Sequence, residues 1–165
     1  MKKIAPLIIL ALALIGYFIF SPVSLRSAPP IEMTTLKGNS IHTTKRTDKS
    51  LLVTFWATTC SSCVKEMPHL IDMQKRLSDR LDITGVAMSY DNPEHINEMV
   101  KRRSLNYNIV FDQSGAIAQS FGGIRLTPTS FLISPQGHIV YQKIGDIDFN
   151  KLEQDILNLK NKTTG

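Results

Sequence analysis

The most constraining feature of the sequence is an apolar run, Leu51–Trp56 (LLVTFW), that leads almost directly into a pattern of helical period. The run is short, rich in strand-forming residues and preceded by a polar stretch, so it predicts a buried strand. The helical period begins after Ser61 and places these residues on one face: Cys63, Met67, Leu70, Gln74 and Leu77. The only two cysteines of the chain, Cys60 and Cys63, therefore lie where a buried strand meets the first turn of a helix.

Strands and helices alternate along the rest of the chain. A weak alternation of apolar and polar residues predicts a β-hairpin over Ile31–Thr44. Further strands are predicted from apolar runs between turn residues, at Asp82–Ser89, Asn108–Phe111, Thr129–Ile133 and His138–Lys143. Further helices are predicted after the N-cap Asn92, in a short segment that ends near Phe121, and from about Asp148. This order predicts an α/β fold with a central mixed β-sheet flanked by helices on both faces.

The N-terminus predicts a membrane anchor. Lys2 and Lys3 precede an apolar stretch, Ile4–Phe20, whose length approaches the roughly 17–25 residues that cross a bilayer as a helix. Cleavage is not favoured, because Ala28, a small residue that could precede a cleavage site, is followed directly by Pro29. We therefore expect an uncleaved anchor in residues 1–20, a proline-containing tether in residues 21–30 and one folded domain in residues 31–165. A cleaved signal peptide is the alternative.

The charge of the chain bears on its location and partners. The formal net charge is +5, and without the basic residues of the first 30 positions, Lys2, Lys3 and Arg26, the remainder carries +2. The other basic residues are scattered, apart from Lys101-Arg102-Arg103, so we expect no nucleic-acid partner. The N-terminal lysines favour a cytoplasmic N-terminus, which places the folded domain outside the inner membrane, facing the periplasm or extracytoplasmic space.

The position of the two cysteines predicts redox chemistry. At the start of a helix the free N–H groups and the helix dipole favour negative charge, so a thiolate is favoured at Cys60. The thiolate is the reactive form of cysteine. Two intervening residues allow the sulfur of Cys63 to reach that of Cys60 from inside the first helical turn. We therefore expect Cys60 to be the exposed nucleophile, and Cys63 to resolve the mixed disulfide that Cys60 forms.

Other uses of such a cysteine pair have less support in this sequence. A structural zinc site needs about four ligands, and the chain has no second cysteine pair and no histidine pair at ligand spacing. Covalent haem attachment requires histidine directly after the second cysteine, where this chain has Val64. A purely structural disulfide would close so small a loop that it gains little from chain entropy. We expect no metal, and no cofactor other than the redox-active disulfide Cys60–Cys63.

The segment VTFWATTCSSCVKEMP, residues 53–68, resembles the active-site segment of thioredoxin-fold proteins. It is most similar to that of the TlpA/ResA-like, membrane-anchored thiol–disulfide oxidoreductases, and the resemblance covers about residues 31–160. The matching motifs are FWAT before the cysteine pair, KEMP after it, TPTSFLI farther along and the turn SPQGHI. The resemblance implies a thioredoxin-like fold with an N-terminal β-hairpin extension and a transmembrane anchor.

The resemblance also implies roles for individual residues. Cys60 and Cys63 match the catalytic redox pair. Glu66 matches an acidic residue that these enzymes keep near the second cysteine, which implies a catalytic role in proton transfer. Pro128 matches the cis-proline that faces the disulfide. The residues implied to bind the substrate are Trp56, Thr127 and Pro128. For the tryptophan, packing in the core is the alternative.

The activity that the resemblance implies is reduction of disulfides in extracytoplasmic proteins, such as the cysteines of apocytochrome c. The implied partners are those protein substrates and a membrane electron donor. Two departures leave the direction open: Thr59 stands where the family usually has tryptophan, and Ser61-Ser62 replaces a pair that often contains proline. The alternatives are a dithiol oxidase and a non-enzymatic binding module with a structural disulfide. A thiol peroxidase is not expected, since Val53 and Ala57 occupy the positions of its proline and its threonine or serine.

Overall fold

The computed structural model describes residues 26–44 and 48–161. These residues contain seven strands and four helices. The strands are β1 (Glu32–Thr34), β2 (Ser40–His42), β3 (Ser50–Trp56), β4 (Leu81–Ala87), β5 (Asn108–Phe111), β6 (Thr129–Ile133) and β7 (Ile139–Ile144). The helices are α1 (Ser61–Arg76), α2 (Pro93–Arg103), α3 (Ala116–Ser120) and α4 (Phe149–Asn161). The first two strands form the predicted antiparallel hairpin, and the other five form one sheet in the order β5-β4-β3-β6-β7.

The central sheet is mixed, as the alternation of strands and helices predicts. Strands β3, β4 and β5 are parallel, whereas β6 is antiparallel to β3 and β7 is antiparallel to β6. All seven residues of β3 are buried, because both faces of the sheet are covered. Leu52 and Trp56 face a core that includes residues of α1, α2 and α4. Val53 and Phe55 alternate with them and face a second core that includes residues of α3 and the hairpin.

One edge of the sheet gathers the chain segments that make up the candidate site. Trp56 at the end of β3 pairs with Ala87 at the end of β4. Strand β6 runs in the opposite direction, and its first residue, Thr129, pairs with Phe55. The residues that follow Trp56, those that follow Ala87 and those that precede Thr129 therefore leave the sheet at the same edge.

Element boundaries agree closely with the sequence-based predictions. Strands β5 and β6 have the predicted bounds. Strand β4 ends at Ala87 instead of Ser89, because the carbonyl of Met88 accepts the N–H of Asp91 and the chain turns there. Strand β7 is displaced by one residue from the prediction, to Ile139–Ile144.

The last residues of the predicted tether, residues 21–30, contact the folded domain. Ser27 forms an antiparallel bridge with His138. The N–H of Ala28 donates to the carbonyl of Gly137 over 2.9 Å, and Ala28 is only 3% exposed. Ser27 and Ala28 therefore pair with the turn before β7 and pack with the domain that follows.

The predicted membrane anchor, residues 1–20, and the start of the tether lie outside the described residues. Among the helices that the structure describes, none is long and apolar enough to span a bilayer. The longest, α1, has 16 residues, and its buried residues lie along one face, as expected for a helix that packs on a sheet.

Candidate active site

Cys60 and Cys63 form a disulfide at the N-terminus of α1, where the sequence places the two thiols. Cys60 is the N-cap residue and is partly exposed, whereas Cys63 lies in the first turn and is 4% exposed. The backbone N–H of Cys63 donates to Sγ of Cys60 over 3.2 Å. The site therefore presents one sulfur at the surface and keeps the other inside. The helix N–H group favours negative charge on the outer sulfur.

A carboxylate from the neighbouring loop holds the turn that precedes the disulfide. Asp91 follows β4 and accepts hydrogen bonds from both the N–H and the hydroxyl of Thr58, each over 2.6 Å. The N–H of Cys60 donates to the carbonyl of Ala57 over 3.1 Å and closes the turn. Sequence analysis missed Asp91. The available signal was a polar residue shortly after a buried strand, since loops at the carboxyl ends of neighbouring parallel strands meet at one edge.

Glu66 lies one turn after Cys63 on the buried face of α1 and is 6% exposed. One of its carboxylate oxygens accepts the backbone N–H of Ile147 over 2.6 Å. Burial raises the pKa of Glu66; the hydrogen bond from Ile147 opposes this rise, and the negative charge of Asp146 adds to it. A buried carboxyl group with a raised pKa, one helical turn from a buried sulfur, is suited to accept and return a proton.

The Thr127–Pro128 peptide bond is cis, as the resemblance predicts. Pro128 is buried and Thr127 is half-buried. Because Thr129 pairs with Phe55 of β3, Pro128 lies at the edge of the sheet from which the chain continues to Cys60. The structure therefore brings the cysteine pair and the cis-proline to the same edge.

Comparison with known proteins identifies the family. The sequence pattern of the family described as Redoxin matches residues 25–156, which include the cysteine pair, Glu66 and Pro128. The chain belongs to the Redoxin family. The Redoxin match begins just before the first described residue and ends within α4, so it contains the whole central sheet.

Relatives of this Redoxin-family protein are thiol–disulfide oxidoreductases. The chain is 28% identical over 129 residues to "Thiol-disulfide oxidoreductase ResA" of Bacillus anthracis, which covers 78% of this chain and 73% of that protein. It is 27% identical over 160 residues to "Sporulation thiol-disulfide oxidoreductase A" of Bacillus subtilis, which covers 93% of this chain and 96% of that protein.

Solved structures of similar proteins have the same fold. A putative thioredoxin from Neisseria meningitidis has a TM-score of 0.73 at 29% identity, covering 82% of this chain and 91% of that one. StoA from Bacillus subtilis has a TM-score of 0.67 at 27% identity, covering 77% of this chain and 97% of that one. With the Redoxin match and the cysteine pair, these similarities identify this protein as a thioredoxin-like thiol–disulfide oxidoreductase.

Trp56 packs in the core, the alternative to substrate binding that the sequence leaves open. It is 4% exposed and belongs to the core on the α1 side of the sheet. Gly85 in β4 leaves room for the ring, since a Cβ there would lie 3.0 Å from Nε1 of Trp56 and 3.1 Å from Cδ1 of Ile109. The side chain points inward because β3 is covered on both faces, and strand alternation directs every residue of such a strand into one core or the other.

Two tyrosines that sequence analysis missed lie in the electrostatic environment of Glu66. The pKa of Tyr107 is raised, first by burial and then by the negative charge of Glu66. The pKa of Tyr141 is raised by burial and by negative charges that include Asp148 and Glu66. Neither tyrosine belongs to a local motif, because Tyr107 precedes β5 and Tyr141 lies in β7, far from α1 in sequence.

Proposed function

We propose that this protein is an extracytoplasmic reductase of protein disulfides that acts through Cys60 and Cys63. The observation that carries the proposal is the asymmetry of the pair: Cys60 is partly exposed and accepts a helix N–H, whereas Cys63 is buried. A substrate sulfur can approach the outer cysteine but not the inner one. Attack on the substrate and release of the product are therefore divided between the two thiols.

The reaction begins with the reduced pair. The thiolate of Cys60 attacks one sulfur of a substrate disulfide, the bond between Cys60 and that sulfur forms, and the other substrate sulfur leaves as a thiolate. Cys63 then loses its proton and attacks Sγ of Cys60. The Cys60–Cys63 disulfide forms, and the first substrate sulfur leaves. Counted from the dithiol, the protein pair loses two electrons and two protons, one proton when Cys60 ionises and one when Cys63 ionises. The substrate gains two electrons and binds two protons.

Glu66 supports the second step. Cys63 must lose a proton to attack, and burial opposes the formation of its thiolate. The Glu66 carboxylate lies one turn farther along the same face of α1. Its raised pKa makes it a stronger base than an exposed carboxylate, so it can accept the Cys63 proton directly or through water.

The environment of Cys63 supports reduction as the net direction. Burial destabilises a thiolate at Cys63, and the negative charge of a nearby carboxylate acts in the same sense. A reduced pair without such a stabilised thiolate gives up its electrons more readily than a pair that has one. The hydrogen bond from the Cys63 N–H acts in the opposite sense, because it stabilises a Cys60 thiolate and thereby favours the second candidate, a dithiol oxidase.

The reduction potential of the cysteine pair separates these two candidates. We expect a value near about −270 mV, as in thioredoxin, for the reductase. A value near about −120 mV, as in strongly oxidising periplasmic enzymes, would assign the protein to disulfide formation. Equilibration with glutathione or dithiothreitol buffers, followed by quantification of free thiols, measures it.

Location and partners follow from the N-terminal sequence. An apolar stretch at residues 4–20 after Lys2 and Lys3 supports attachment to the inner membrane, with the folded domain in the periplasm or extracytoplasmic space. Cytosolic thiols do not reach that compartment, so a membrane electron donor must return two electrons to the oxidised pair in each cycle. The proposed substrates are extracytoplasmic proteins with disulfides, among them apocytochrome c.

Trapping of the mixed disulfide tests the proposed reaction. Cys63→Ser leaves Cys60 able to attack but removes the resolving thiol, so covalent complexes with substrates should accumulate in cells. They should be visible on non-reducing gels and disappear on reduction. Cys60→Ser is the matched control and should form none. If Cys63→Ser accumulates no complex, and the wild-type pair is fully oxidised in cells with an intact electron supply, the reductase proposal is wrong.

A further inference from the structure

A groove of about 300 Å³ lies beside the cis-proline loop, and the reaction above leaves it without a role. Large apolar side chains line it: Phe121, Ile124, Leu126 and Ile144. Leu126 is 64% exposed and Ile144 is 58% exposed. Exposed leucine and isoleucine that line one groove are typical of an interaction surface.

The groove adjoins the edge of the sheet where the disulfide lies. Ile144, at the end of β7, pairs with Thr129, and Thr129 pairs with Phe55 near the end of β3. Leu126 lies in the loop directly before Thr127 and Pro128, and its carbonyl accepts the hydroxyl of Thr129 over 2.7 Å. The groove therefore lies beside the loop that carries the cis-proline, at the edge of the sheet from which the chain continues to Cys60.

Two arginines, Arg26 and Arg125, give the groove a positive charge. The guanidinium of Arg26 lies over Gly122, with Nη2 3.6 Å from the place that a Cβ would occupy there. Arg125 is exposed. Among the residues that the structure describes, no carboxylate forms an ion pair with either arginine. Their donors therefore remain available to an acidic partner.

We propose that the groove lined by Leu126, Ile144, Arg26 and Arg125 selects substrate segments that carry a large apolar residue and an acidic residue near the reactive cysteine. The apolar residue would cover the exposed leucine and isoleucine, and the carboxylate would pair with the guanidinium groups. The inference rests on the proposed function, because it concerns the choice of protein substrate by the same site.

Peptides in mixed disulfide with a small thiol provide the test. Each peptide carries one cysteine, a leucine two positions away and a variable residue four positions away, and the variable residue is Glu, Gln or Lys. Separate sets place these residues on the N-terminal and the C-terminal side of the cysteine. Single-turnover reduction by the reduced protein should be fastest for Glu and slowest for Lys. The expected difference is about threefold for each arginine, or about tenfold in total, as for exposed ion pairs.

Charge reversal makes the test specific. The double variant Arg26→Glu and Arg125→Glu should prefer the Lys peptide to the Glu peptide. The matched control, Arg102→Glu with Arg103→Glu on α2, has the same change of net charge at a distant helix end and should keep the wild-type order. Replacing the peptide leucine by serine should slow the wild type, but should have little effect on Leu126→Ser with Ile144→Ser. The charge preference of the wild type should also decline as salt is raised.

Two failures are distinguishable. If the wild type reduces the peptides at equal rates whatever the variable residue, or if the distant pair changes the order as much as the groove pair, the groove is not a selection surface. In that case reduction of hydroxyethyl disulfide, a small uncharged substrate, still proceeds. If the reduced protein acts on neither hydroxyethyl disulfide nor any peptide, the proposed reductase function itself is wrong, and the groove proposal is rejected with it.

Discussion

At the scale of single residues, the ionisation of Glu66 links stability to chemistry. The carboxyl group is 6% exposed, and its pKa is raised above the ordinary value of 4.5, chiefly by burial. Below that value the carboxyl group is protonated in both the folded and the unfolded chain, so its ionisation does not affect the free energy of unfolding. Above it the unfolded chain loses its proton first. The folded state then holds more protons, and its stability falls as pH rises until the folded pKa is passed.

Glu66→Gln should therefore remove a stability cost that exists only at higher pH. The glutamine can still accept the N–H of Ile147, so the main change is the loss of a buried ionisation. Urea unfolding at about pH 4 and at about pH 8 should show the variant gaining stability relative to the wild type as pH rises. Glu98→Gln, at an exposed position on α2, is the control and should show no such trend. A variant whose relative stability falls with pH would contradict the assigned direction of the pKa shift.

The same substitution tests proton transfer from Cys63. If Glu66 accepts that proton, Glu66→Gln should slow the resolution of the mixed disulfide by about 10²-fold, the lower range for general base catalysis. The first attack by Cys60 should change little, because Glu66 lies on the buried face of α1 with Cys63 and not at the exposed sulfur of Cys60. Rapid acid quench and separation of the covalent complex measure the two steps independently. Equal slowing of both steps would show that the carboxyl group affects the site as a whole.

At the scale of structural elements, the turn between β3 and α1 depends on a contact with the loop after β4. Thr58→Val removes the hydroxyl that donates to Asp91 and leaves the carboxylate with one fewer partner, at a cost of about 1–3 kcal/mol in the free energy of unfolding. A looser turn should also place Sγ of Cys60 less well against the N–H of Cys63. We therefore expect a higher Cys60 pKa and slower alkylation by iodoacetamide.

A neighbouring residue provides the control for this prediction. Thr59→Val changes the next position of the turn, where the side chain is exposed. It should leave both the unfolding free energy and the pH profile of alkylation close to those of the wild type. If the two variants behave alike, or if Cys63 is alkylated before Cys60, the turn does not set the reactivity of Cys60 in the way described.

The elements show which parts of the site were predictable. Strand β3, helix α1 and the place of the cysteines between them follow from local patterns of apolar residues, since each pattern lies within one continuous segment. The bonds of Asp91 to Thr58 and of Ile147 to Glu66 join residues 33 and 81 positions apart, and no local pattern encodes them. The burial of Trp56 was ambiguous for the same reason, because it depends on the space left by Gly85 in the adjacent strand.

At the scale of the whole molecule, one sheet edge combines contributions from distant parts of the sequence. The cysteine pair follows β3, Asp91 follows β4, the cis-proline precedes β6 and the apolar groove ends at β7. The parallel pairing of β3 with β4 and the antiparallel pairing with β6 together bring these segments to one place. A substrate therefore approaches the molecule from a single side.

The orientation of the whole chain can be measured with its own thiol. Cys63→Ser leaves Cys60 as the only cysteine, and Cys60 is partly exposed. If residues 4–20 anchor the chain with the domain outside, a membrane-impermeant maleimide should label Cys60 in reduced, intact spheroplasts, and the labelled protein should stay in carbonate-washed membranes. Lys2→Glu with Lys3→Glu removes the positive charge that, in the proposed topology, holds the N-terminus in the cytoplasm, so this variant should show less labelling before lysis. Labelling only after lysis would place the domain in the cytoplasm, and a soluble mature form that begins after residue 20 would show that the segment is removed.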